Sequence, residues 1–235
     1  MSAPPAGPLL ALDTSTAVGS VAVGEDGAAS AEEVIRMGKQ SSAELLPAID
    51  RVLRAAGLQP ADLAGVVVGG GPGSFTGVRV AAATAKGLAH ALEIPLRAPS
   101  SLLAVAAVCA ADPREVCALF DARRGDVYAA AYRFGGGVPQ ERLAPVAIAL
   151  HELLARYRDA EPPLFTGEGA LLHAARIREE LNAEIAPAHL AVPRASALLW
   201  AACAAPELTR VVDAAAWEPL YLRAAGAERI AAAGR

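Results

Sequence analysis

Carboxylates, hydroxyls and glycines gather in three short runs of this sequence, and each run has a chemistry open to it. In the first, Asp13 is followed by Thr14, Ser15 and Thr16. A strand-end carboxylate with hydroxyls behind it could face a metal–phosphate group, or could satisfy the amides of its own turn. The second run, Gly69-Gly-Gly-Pro-Gly-Ser-Phe-Thr-Gly77, leads into a helix-forming stretch. Gly71, Gly73 and Ser74 would stand where a flexible backbone and a helix N-terminus favour an anion, phosphate first. In the third, Asp121, Arg123, Arg124 and Asp126 crowd one turn around Gly125. That turn is either a solvated hairpin tip or a polar cluster at a cleft.

None of the runs meets a sharper standard. A P-loop ends in Gly-Lys-Ser/Thr, which is missing here, and Gly71, Gly73 and Gly77 do not match Gly-x-Gly-x-x-Gly. A nucleophile elbow needs glycine two residues before Ser74, where Pro72 stands. The plain alternative is a tight strand-to-helix turn with no ligand. His90, His151, His173 and His189 show no H-x-x-x-H or H-E-x-x-H spacing, and nothing marks a Ser-His-Asp triad. No catalytic residue and no metal ligand is assigned.

Regular structure must hold these runs. Residues 9–13 read as a buried strand, 19–24 as its hairpin partner, and Asp26-Gly27 turns into a third strand over 28–37. Val66, Val67 and Val68, closed by glycines, suit a strand covered on both faces. Residues 116–121 and 126–132 repeat the strand–Asp–turn–Gly–strand unit of 9–24, which points to two related lobes. Helices are expected over 41–56, opened by a Ser41–Glu44 capping box, and over 76–92, capped by Ser74 or Thr76. Further helices are expected over 101–110, 150–158, 171–181 and 196–205, with a short strand at 94–97 and a strand running into a glycine turn over 164–169. Leu45, Ile49 and Val52 line one face of the first helix. Gly77, Ala81, Ala85 and Ala89 leave the second nearly bare on one side, against its own sheet or against another subunit.

Composition sets the outer limits. With 54% hydrophobic and 20% charged residues the chain is globular, and a net charge of −4 argues against a strong independent nucleic-acid binder. Cys109, Cys117 and Cys203 lack C-x-x-C spacing and read as reduced thiols of a cytoplasmic protein. The first residues lack the basic and apolar regions of a signal peptide, and no stretch has membrane-spanning character.

Four segments resemble, in order and over nearly the whole length, the bacterial TsaB family, formerly YeaZ. They are Asp13-Thr-Ser-Thr16, Gly69 through Arg79, Phe120-Asp-Ala-Arg-Arg-Gly-Asp-Val-Tyr128 and Tyr221-Leu-Arg223. The resemblance implies an α/β fold of the actin-like, Hsp70-like (ASKHA) class, each of two lobes a ribonuclease-H-like mixed sheet flanked by helices. The lobes would span 1–98 and 99–235, with a final helix packed back on the first. It also implies a non-catalytic, dimerising and activating subunit in the synthesis of N6-threonylcarbamoyladenosine (t6A) at adenosine 37 of tRNA. In that system a TsaC-type enzyme makes threonylcarbamoyl-adenylate and a TsaD-type paralogue, which carries metal-binding histidines, transfers the group. A TsaE-type ATPase binds the TsaB–TsaD pair.

The same resemblance assigns residues. The pairing surface uses the two first-lobe helices, making Leu45, Ile49, Val52, Gly77, Ala81, Ala85 and Ala89 the expected interface in a four-helix bundle. Asp13, Thr14, Ser15, Gly71, Gly73 and Ser74 become a vestigial nucleotide site, and Asp121, Arg123, Arg124 and Asp126 a cluster at the cleft. No cofactor of the chain's own is implied; ATP or ADP would belong to the complex, tRNA would be met through it, and a homodimer would form without the partner. One departure stands out: Ser41 lies about where many relatives carry a histidine. The competing reading is a stand-alone actin-like nucleotide-binding ATPase with Asp13 on a metal–nucleotide. A metalloprotease, which older glycoprotease-like labels would suggest, finds no site here.

Overall fold

The computed structural model describes residues 6–37 and 41–223. The expected capping hydroxyl of Ser41, its neighbour Gln40 and the expected final helix fall outside what is described. The first sheet is built from β1 (Leu9–Asp13), β2 (Val18–Glu25) and β3 (Ala28–Arg36), followed by α1 (Ser41–Ala55), β4 (Gly65–Val68), α2 (Phe75–Leu92) and β5 (Leu96–Arg97). β1 pairs antiparallel with β2 and parallel with β4, Leu12 beside Val68, so β1 and β4 end side by side. The chain continues through α3 (Ser101–Ala107) into a second sheet. There β6 (Glu115–Asp121), β7 (Asp126–Gly135) and β8 (Val138–Ala149) form a meander. α4 (Leu150–Ala155) then leads to β9 (Leu164–Thr166), parallel to β6, and to α5 (Glu168–Leu172) and α6 (Ala174–Leu181). Last come α7 (Ala195–Ala204) and β10 (Val211–Val212), which returns to the edge of the first sheet beside β5.

Strand alternation decides what packs where. In β1, Leu10 and Leu12 face the core shared with α1 and α2, while Leu9 and Ala11 face Leu198, Leu199 and Ala202 of α7. In β6, Cys117 and Leu119 join the core under α4 to α6, while Val116, Ala118 and Phe120 pack on Leu102, Leu103 and Val105 of α3. Helices α3 and α7 therefore lie between the two sheets, in contact with each other, and tie the lobes. The start of α7 is held by the first sheet: the Ala195 amide donates to Ser20 Oγ at 2.7 Å and the Ser196 amide to Glu32 at 3.1 Å.

The seven expected interface residues need correction. Leu45, Ile49, Val52, Ala81, Ala85 and Ala89 belong to the chain's own first core, each no more than 5% exposed, and Gly77 is buried as well. The small stripe of α2 is what lets that helix lie close on β1 and β4. Facing away from the sheet are Ala43, Leu46 and Pro47 on α1, and Ala83, Gly87 and Ala91 on α2, with Leu46 57% exposed. The sequence reading also passed over β8 and β10.

Ala85→Glu puts a carboxylate into a closed apolar core and should cost about 3–5 kcal/mol, the size of an uncompensated buried charge. Ala83→Glu, on the exposed side, should stay within about 0.5 kcal/mol of wild type. Urea unfolding of the two variants tests the orientation of α2; equal midpoints would contradict it.

Candidate functional site

Because β1 and β4 run parallel and end together, their following turns meet, as loops at the carboxyl ends of parallel strands do. They form one wall of a cleft between the lobes with a volume of about 570 Å³. Ser15, Thr16, Gly73, Ser74 and Thr76 line it from the first lobe, and Asp121, Arg123, Tyr128 and Glu168 from the second. Tyr221 and Arg223 of the C-terminal segment line it as well.

Of the residues read as a nucleotide site, Ser15, Gly73 and Ser74 line the cleft, whereas Asp13, Thr14 and Gly71 do not. Asp13 is fully buried behind the turn. Its Oδ1 accepts bonds from the Ser15 amide at 2.8 Å and the Ser15 hydroxyl at 2.6 Å. Its Oδ2 lies over Gly69, beside the Ser101 hydroxyl, without a hydrogen bond of normal geometry; a Cβ on Gly69 would come within 1.7 Å of it. Burial pushes the Asp13 carboxyl upward in pKa against the opposing pull of the Ser15 and Ser101 hydroxyls. Thr14 donates its hydroxyl to the Gly77 carbonyl at 2.7 Å, so close that a Cβ on Gly77 would strike the Thr14 carbonyl at 2.0 Å. The α2 cap is Ser74, whose side chain accepts from the Gly77 amide.

The hairpin between β6 and β7 supplies the other wall. Asp121 accepts the Arg123 amide at 2.7 Å, and the Arg123 guanidinium, 87% exposed, stands 3.6 Å from the same carboxylate. Arg123 and Arg124 have φ of 68° and 59°, left-handed values that cost an L-residue about 1–2 kcal/mol each. Arg124 is exposed and does not line the cleft; Asp126 is ion-paired with Arg223, which also donates to the Ala122 and Arg123 carbonyls. Glu168, at the start of α5, has its pKa raised by burial and then by the nearby charge of Asp121, with Arg123 opposing. Sequence reasoning gave no role to Glu168, Tyr128 or Arg223, although Arg223 closes the Tyr221-Leu-Arg223 run that it quoted. What the cleft offers chemically is hydrogen bonding and mixed charge.

A family profile described as TsaD, tRNA N6-adenosine threonylcarbamoyltransferase, matches residues 36–231. The chain is 33% identical over 223 residues to the Bacillus subtilis tRNA threonylcarbamoyladenosine biosynthesis protein TsaB, covering 94% of this chain and 96% of that one. Among solved structures, YeaZ from Pseudomonas aeruginosa superposes with a TM-score of 0.79 at 28% identity, covering 92% of this chain and all of the other. Component A of (R)-2-hydroxyglutaryl-CoA dehydratase from Acidaminococcus fermentans superposes at 0.52 with 14% identity over 86% of this chain and 99% of its own, a likeness of fold alone. The architecture is the two-lobed actin-like, Hsp70-like one.

That fold raises the question of a nucleotide, and the turn after β4 spends four of its amides on the chain itself. The amides of Gly69, Gly70, Gly71 and Ser74 go to the Leu12 carbonyl, the Pro99 carbonyl, the Ser101 hydroxyl and the Ser15 carbonyl. A buried Asp13 whose pKa is raised stabilises the fold below the ordinary carboxylate pKa of 3.8 and loses that contribution as pH rises through its folded value. Asp13→Asn keeps an acceptor for Ser15 and removes the charge. Its urea midpoint should match wild type at about pH 4 and exceed it at about pH 8. A variant less stable than wild type at the higher pH would mean that a charged Asp13 is favoured there. The two-sheet architecture and the match over nearly the full length agree, and the chain belongs to the TsaB (YeaZ) family of tRNA threonylcarbamoyladenosine biosynthesis proteins.

Proposed function

We propose that this chain is a non-catalytic partner subunit in t6A synthesis. It pairs with a TsaD-type paralogue, supports transfer of the threonylcarbamoyl group to adenosine 37 of tRNA, and meets tRNA and a TsaE-type ATPase through that pair. The observation that carries the reading is the outward face of α1 and α2. Both helices pack on the same side of the first sheet, so their far sides form one surface with a small and apolar patch around Leu46, Ala83 and Gly87, bordered by the Asp50–Arg54 ion pair and His90. Two helices from each partner would close it into a four-helix bundle. In the partner's absence a second copy of this chain would cover the same face, because exposed apolar surface seeks cover. The four turn amides spent on the chain itself support a role without nucleotide chemistry of the chain's own.

A Cβ added at Gly87 meets nothing within 4 Å, so Gly87→Glu fits the free chain and gains helix propensity. It should melt at or above the wild-type temperature yet bind the cognate TsaD-type protein at least about tenfold more weakly, a loss of ~1.4 kcal/mol or more. Titration calorimetry measures this directly. Unchanged affinity for a folded Gly87→Glu protein would remove the proposed face.

A further inference from the structure

The segment from Asp213 to Arg223 belongs to neither of the repeated strand–turn units, yet it touches both lobes. It starts from β10, paired with β5 of the first sheet. Asp213 closes a turn by accepting the Ala215 amide on its side chain and the Trp217 amide on its carbonyl. Lys86 of α2 donates to the Trp217 carbonyl at 2.8 Å and the Ala215 carbonyl at 3.4 Å, while the Trp217 ring packs on the first core. The Leu220 amide then donates to the Gly70 carbonyl at 2.8 Å. At Gly71, with φ of 86°, a Cβ would lie 3.2 Å from the Leu220 carbonyl, so the glycine there serves the passage of this segment. The Tyr221 and Phe75 rings pack at a tilt with centroids 5.3 Å apart, and Arg79 lies 3.9 Å above the Phe75 ring and donates to the Tyr221 hydroxyl.

Beyond these first-lobe anchors the segment crosses to the second lobe. Arg223, only 19% exposed, donates to the Ala122 and Arg123 carbonyls and pairs with the Asp126 carboxylate, all on the β6–β7 hairpin. The left-handed turn at Arg123 and Arg124 is what brings those two carbonyls and Asp126 to one guanidinium. On the way Leu220, Tyr221, Leu222 and Arg223 line the cleft.

We propose that residues 213–223 are a clasp that holds the cleft closed, with Arg223 as its pin on the second lobe. Paired lobes move relative to each other unless a large contact or a tie restrains them. Here α3 and α7 form the packed base between the sheets, and the clasp joins the lobes along the cleft. Releasing one guanidinium from the hairpin frees the lobes to part about that base, with both cores left whole. Opening of the cleft is thereby set by contacts that lie outside either sheet, and a change at the clasp changes access to every cleft residue at once.

The test is an intrachain distance in the full-length protein. Nitroxide labels go on Gln59→Cys in the first lobe and Glu152→Cys in the second, both exposed, in a Cys203→Ser background; unlabelled protein in excess suppresses distances between copies. The wild-type clasp should give one narrow distance. Arg223→Ala should shift it to longer values and broaden it, and Asp126→Asn, which keeps shape and removes the charge, should do the same to a lesser degree. Near-ultraviolet circular dichroism of both variants should stay native, separating opening from unfolding. Should Arg223→Ala fail to fold, Asp126→Asn decides alone. A folded variant with the wild-type distance distribution overturns the proposal.

Discussion

Three stretches of backbone meet at the turn between β4 and α2, and they can meet only because no side chain stands at several of its positions. Strand β1 runs into Asp13 and Thr14, which press on Gly69 and Gly77; the Ser15 backbone occupies the space beside Gly73; and the segment around Leu220 passes over Gly71. A single methyl at Gly77 would overlap the Thr14 backbone carbonyl by more than any rotamer change could relieve, and one at Gly69 would displace the buried Asp13 carboxylate. The parallel pairing of β1 with β4, the seating of α2 on the sheet and the passage of the C-terminal segment all depend on this close approach. A glycine-rich turn before a helix suggests an anion site when seen as sequence. Here the amides of Gly69, Gly70, Gly71 and Ser74 are taken by the chain itself, and the motif acts as a packing hub.

Much of the architecture is legible in the sequence because both sheets are covered on two faces. Val66, Val67 and Val68 announce a central strand, and the recurrence of strand, aspartate, turn and glycine at Asp13 and Asp121 marks two lobes. What composition and periodicity miss has a physical cause in each case. Strand β8 carries Glu141, Arg142 and Pro145 and is mostly exposed or half-exposed, so it has no buried alternation to detect. β10 is two residues long and exists by virtue of the edge it joins.

The site was harder to read than the fold. A four-residue stripe of alanine and glycine specifies close approach but does not say to what, and its partner proved to be the chain's own sheet. The face proposed for a partner is less conspicuous: Leu46, Ala83 and Gly87 share no motif and become a surface only once α1 and α2 are laid side by side. Arg223 likewise had no meaning in isolation, since Asp126 and the two carbonyls it holds lie about a hundred residues away in the chain. Buried Asp13, meanwhile, is a carboxylate kept at some cost in a place where the fold has closed over it.

These features describe a chain with the two-lobed actin-like architecture, a glycine turn packed against its own backbone and an apolar patch on the outward side of α1 and α2. The central claim is that such a chain works by partnering. The most direct measurement is a reconstitution of t6A formation from the cognate TsaC-, TsaD- and TsaE-type proteins with tRNA, threonine, bicarbonate and ATP. Modified adenosine is counted by mass spectrometry with and without this chain. The account predicts that turnover requires it. Turnover that proceeds equally well in its absence would contradict the account.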